Sequence, residues 1–75
     1  MDKATQRGLI LAYCKEHGSI TIREAFEKLK INSPSKRISE LRLSGDYDVS
    51  DITEEKISNG ETKRYKRYFI KAVEV

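Results

Sequence analysis

At Gly45 the hydrophobic period of this chain changes, and no other feature constrains the fold as much. Before it, apolar residues recur at the three- and four-residue intervals of a helix face; after it, they alternate as along a strand. The alternating half contains Asn59-Gly60, the pair favoured where both central residues of a tight hairpin turn need positive φ. A chain of 75 residues with this pattern is a single domain, residues 1–75, of helices followed by a hairpin. At that length only about 60% of the unfolded surface is buried on folding, which disfavours a deep catalytic cavity.

Ala4, Leu9, Ile10, Leu11, Tyr13 and Cys14 predict a helix over residues 3–17, with Ile10, Tyr13 and Cys14 inward and Gly18 ending it. Ile20 can then form a brief extended pairing with a later strand. Thr21-Ile22-Arg23-Glu24 matches a capping box, and Ile22, Ala25, Phe26 and Leu29 share one face, so residues 22–29 form a second helix. Lys30-Ile31-Asn32 is the turn. Ser33 can cap a third helix over 34–44, with Pro34 in its first position, where a missing amide costs nothing.

The hairpin is expected at about 47–57 and 62–72. With Asn59-Gly60 as a two-residue loop, Glu55 faces Arg64, Val49 faces Ile70 and Asp48 faces Lys71. Residues 46–55 contain five acids and no base, and residues 62–71 five bases and no acid, so the two strands attract. Tyr65 and Tyr68, three apart, break strict alternation unless a bulge intervenes. The expected fold class is α+β, mostly α: a winged helix-turn-helix, three helices followed by a two-stranded β-hairpin wing.

Stepping 100° per residue around the third helix puts Pro34, Leu41 and Gly45 near Ile38 on the buried side. Lys36, Ser39, Glu40 and Leu43 fall outward, with Arg37 and Arg42 at the edges. Ser33 and Ser35 open the helix, whose free amides and positive dipole end suit a phosphate. Lys and Arg total 15 against 12 Asp and Glu, a formal +3 with a pI near 9.1. That balance leans toward a polyanion. The candidate DNA-binding residues are Ser33, Ser35, Lys36, Arg37, Ser39 and Arg42 on the helix, and Lys63, Arg64, Lys66 and Arg67 on the wing. A competing expectation is that Asp51, Glu54 and Glu55 neutralise the wing bases across the hairpin. Tyr65 and Tyr68 read as sheet-packing residues.

The segment "HGSITIREAFEKLKINSPSKRISELRLSGDYDV" resembles small helix-turn-helix domain proteins of bacteriophages and prophages. The shared pattern is a Gly-x-Ile-Thr entry into the second helix, an Arg-Ile-Ser-x-Leu-Arg third helix and a Gly-Tyr-x-hydrophobic strand start. Gly18, Ile20, Thr21, Ala25, Leu29, Arg37, Ile38, Leu41, Arg42 and Tyr47 line up with it, and the resemblance covers roughly residues 4–57. Asp46 is a departure: it stands between Gly45 and Tyr47, where the pattern runs from Gly straight to Tyr. The resemblance implies DNA binding by fold; the leading expectation is a double-stranded DNA-binding protein that serves as a phage or prophage transcriptional regulator.

A second class of function is a winged-helix protein-interaction module that grips a phage or host protein, or an excisionase-like architectural factor. Leu43 favours it, because an outward Leu is a poor phosphate neighbour and a reasonable interface anchor. An enzyme is disfavoured: there is no glycine-rich phosphate loop and no Cys/His cluster, and neither metal nor cofactor is expected. Cys14 alone cannot form an intramolecular disulfide, and the first residues lack the apolar run of a signal peptide or membrane span. The expectation is a cytoplasmic protein, nucleoid-associated when on DNA.

Overall fold

The computed structural model describes residues 2–73. Its elements are α1 (Lys3–His17), β1 (Ile20–Thr21), α2 (Ile22–Leu29), α3 (Pro34–Ser44), β2 (Tyr47–Ser58) and β3 (Glu61–Ala72). Each helix ends where the local chemistry requires. The Asp2 carboxylate accepts from the Thr5 amide at 2.7 Å to start α1, and Gly18, left-handed at φ 88°, closes it. At α2 the capping box is complete: the Thr21 hydroxyl accepts from the Glu24 amide at 3.1 Å, and the Glu24 carboxylate accepts from the Thr21 amide at 2.9 Å.

The α2 to α3 turn is tight because Lys30 takes φ 58°, which lets the Ile31 amide reach back to the Ala25 carbonyl and drops Ile31 into the core. Pro34 occupies the first turn of α3 as expected, but Ser33 makes no side-chain cap bond. Its backbone, at φ −132° and ψ 67°, departs from the usual cap geometry.

The core is Ile10, Cys14, Ile20, Ala25, Ile31, Ile38 and Leu41, drawn from every helix and from β1. Each fully buried Ile contributes on the order of 1.5–3 kcal/mol through removal from water. Tyr13, Ile22, Leu29, Tyr47, Val49, Tyr68 and Ile70 pack around it. Phe26, expected on the buried face of α2, is instead 55% exposed, because so short a helix buries a narrow stripe centred on Ala25.

The sheet has three strands in the order β1-β3-β2: the expected two-stranded hairpin of β2 and β3, with β1 added along β3. Ile20 pairs with Tyr68 and Thr21 with Arg67, so the brief extended piece between α1 and α2 is a true third strand. The hairpin follows the register set by Asn59-Gly60, whose φ values of 51° and 77° are those of a type I′ turn. Pairing runs without a bulge from Ser58 opposite Glu61 to Tyr47 opposite Ala72. Tyr68 therefore lies on the face that packs against the helices, and Tyr65 lies on the other. The additional Asp46 is absorbed at the base of this ladder, where its carbonyl accepts from the Val73 amide at 2.9 Å.

Twelve residues at about 3.4 Å each make β2 roughly 40 Å long. The hairpin thus sets the long dimension of a molecule 45 × 28 × 21 Å in extent. Only its base is covered by helices, and residues 55–66 are all exposed.

Candidate nucleic-acid interface

The second helix of a helix-turn-helix pair presents whatever its buried stripe leaves over. In α3 that stripe is Pro34, Arg37, Ile38 and Leu41, and the exposed row is Ser35, Lys36, Ser39, Arg42 and Leu43. Ser35, Lys36, Ser39 and Leu43 line an open groove whose other wall is the start of α1, at Asp2, Lys3 and Gln6. Asn32 and Ser33 close its end. Lys36 and Lys3 line the groove together with the acids Asp2 and Glu40, and neither lysine makes an ion pair among the described residues.

Arg37 is the main correction. It was expected at the edge of the exposed row, but it is only 6% exposed and its guanidinium lies 3.0 Å from Glu40. Its Nε has no hydrogen-bond partner among the described residues. Glu40 in turn accepts from Arg7 of α1 at 2.7 Å, so an Arg-Glu-Arg cluster ties α1 to α3 instead of facing solvent. The Arg7 hydrogen bond, helped by the nearby Arg37 charge, holds the Glu40 carboxyl below its ordinary range. Arg42 leans toward β2 and pairs with Asp51 at 3.2 Å while staying half exposed.

The wing divides in the same way. Arg64 pairs with Glu55 at 2.9 Å, and Arg67 pairs with Glu54 and Glu24 and donates to Ser19 at 3.1 Å. The expected neutralisation across the hairpin therefore applies to the arginines. It does not reach the lysines: Lys63 and Lys66 have no ion pair among the described residues. Register accounts for Arg64, which stands opposite Glu55, and for Lys63, which stands opposite Lys56; Arg67, opposite Ile52, reaches diagonally to Glu54, and Lys66 stands opposite Thr53.

Two cations were missed in the sequence. Lys56 was legible, because the Asn59-Gly60 register already places it beside Lys63 at the wing tip. Lys3 was not, because only packing of α1 against α3 brings it to the groove. Cys14 is buried in the core, and that burial pushes its thiol up, away from the reactive thiolate. Among the described residues no helix is long and apolar enough to cross a membrane, and no three His, Cys, Asp or Glu side chains gather as metal ligands would.

The comparisons with known proteins bear on this arrangement. A family model described as a winged helix-turn-helix domain matches residues 5–73, nearly the whole chain. No curated protein and no solved structure matches. With its helix-turn-helix pair, its hairpin wing and a family match spanning both, this chain belongs to the winged helix-turn-helix domain family.

Proposed function

We propose that this is a double-stranded DNA-binding protein that works as a phage or prophage transcriptional regulator inside the cell. The observation that carries the reading is the Ser35, Lys36, Ser39 row on α3, exposed and unneutralised, whereas the arginines of α3 and of the wing are each paired with a carboxylate. Inserted in a major groove, Lys36 meets guanine acceptors while Ser33, Ser35 and Ser39 serve either base edges or phosphate. Lys63 and Lys66 lie on the backbone, where they add affinity without reading sequence. Arg42 and Arg64 reach phosphate only by leaving their carboxylate partners, and Arg37 and Arg67 hold the fold.

Fluorescence anisotropy on a labelled duplex, titrated from about 50 to 200 mM salt, tests this. Each phosphate contact removed flattens the slope of log K against log salt by about 0.9. Lys36→Ala and Lys63→Ala/Lys66→Ala are expected to flatten it; a folded wild-type chain that does not bind at the lowest salt rules the reading out.

Leu43, 85% exposed at the rim of the groove, supports the second reading, a protein-interaction module or excisionase-like architectural factor. Leu43→Lys separates the two. On the DNA reading affinity is kept or increased, and on the other, capture of the protein partner is lost.

A further inference from the structure

Among the described residues the outer edge of the sheet has no partner. β2 is an end strand, and unlike most exposed edges it has no proline, no bulge and no shortening to prevent another strand from pairing with it. The tight turn makes Ser58 and Glu61 a hydrogen-bonded pair, and the Val73 to Asp46 bond continues the same alternation at the base. The backbone groups left pointing outward are therefore those of Tyr47, Val49, Asp51, Thr53, Glu55 and Ile57. Two apolar side chains on this strand are also uncovered: Ile52 is 50% exposed and Ile57 is 76% exposed.

We infer that β2 pairs antiparallel with β2 of a second copy of this chain, on a two-fold axis through Ile52. In that register Ile52 meets Ile52 of the other copy, Tyr47 meets Ile57, and Asp48 meets Lys56. Each of these outward backbone groups finds a hydrogen-bonding partner, because odd-numbered residues then stand opposite odd-numbered residues. The charges select this alignment. One step toward the base puts Asp51 opposite Asp51, and one step toward the tip puts Asp51 opposite Glu55. A further step toward the tip puts Glu54 opposite Glu54. Like charges directly opposite destabilise a sheet, and the Ile52-centred register places none against each other.

The same register resolves a cost within the single chain. Lys56 faces Lys63 across its own hairpin and has no acidic partner among the described residues. Asp48 of the second copy supplies one. The two-fold operation closes on itself, so the product is a dimer and not a filament. On the DNA reading above, it presents two α3 helices related by a dyad, the symmetry that reads an inverted repeat.

Sedimentation analysis of the full chain without DNA tests the dimer independently of any DNA binding. The wild type is expected to dimerise in the micromolar range, and Lys56→Glu to weaken the dimer by about tenfold or more, since the change acts twice by symmetry. Lys56→Glu also removes the clash with Lys63, so thermal stability of the monomer is expected to hold or rise while dimerisation falls. Adding Asp48→Lys to Lys56→Glu, together with Lys71→Glu so that residue 48 still faces an opposite charge across its own hairpin, restores pairing with the charges exchanged. A wild-type chain that stays monomeric to about 1 mM overturns the inference. So does a dimer that Lys56→Glu leaves unchanged, or one that the exchanged pair fails to restore when circular dichroism shows it folded.

Discussion

Arg67 and Glu24 stand 43 positions apart in the chain and 3.3 Å apart in space. Glu24 already closes the capping box of α2, and Arg67 already pairs with Glu54 across the hairpin, so their contact joins the start of α2 to the wing. Ser19 accepts from the same guanidinium. Glu54 is the main reason the Arg67 guanidinium is held even more firmly in its charged form than usual.

Removing Arg67 leaves two carboxylates facing each other without their shared cation. Arg67→Ala is therefore expected to destabilise the fold by about 1–3 kcal/mol. Arg67→Lys recovers only part, because an ammonium cannot serve Glu54, Glu24 and Ser19 from one planar fork. Urea unfolding followed by circular dichroism measures both, and equal stability of Arg67→Ala and wild type refutes the bridging role.

Arg37 gives a sharper contrast. Its burial means that Arg37→Ala leaves a cavity beside Glu40, at a cost of about 2–4 kcal/mol. Arg37→Met fills the same space and removes the unpartnered Nε, so its stability is expected within about 1 kcal/mol of wild type. The salt slope of DNA binding should be the same for Arg37→Met and wild type. A flattened slope places Arg37 on a phosphate after all.

Glu40 predicts the acid side of the stability profile. Its folded carboxyl, held low by Arg7, stays charged to a lower pH than it does in the unfolded chain. The unfolded state then binds more protons in the window between the two values. The stabilisation is complete above the ordinary glutamate range, about pH 4.3, and is lost as pH falls through the folded value. Urea midpoints between about pH 6 and pH 3 should drop for the wild type and drop less steeply for Glu40→Gln.

The turn at Asn59-Gly60 needs positive φ at both positions, and Gly60 sits at 77° in open space. Gly60→Ala meets no neighbour and is penalised by backbone strain alone, so a loss of about 1 kcal/mol is expected in thermal unfolding. A loss above about 3 kcal/mol would mean that the tip packs against something.

Local chemistry decided most of the backbone. Glycine at 18 and 45, the Thr21 to Glu24 box, Pro34 and Asn59-Gly60 each act within a few residues, so helix ends and hairpin register could be read from spacing alone. The pairing of Glu55 with Arg64 followed from that register. What only the tertiary structure decided was which long cationic side chains face water. A guanidinium at the edge of a helix stripe turns inward or outward according to the partners that other elements bring around it. Arg37 pairs with Glu40 three residues on in its own helix, and Arg7 of α1 holds that carboxylate against the helix interface; Arg67 met Glu24 of α2, whereas Lys36, Lys63 and Lys66 met no acid among the described residues. Periodicity carries no record of such distant partners, because the energy of an ion pair depends on separation in space and not along the chain.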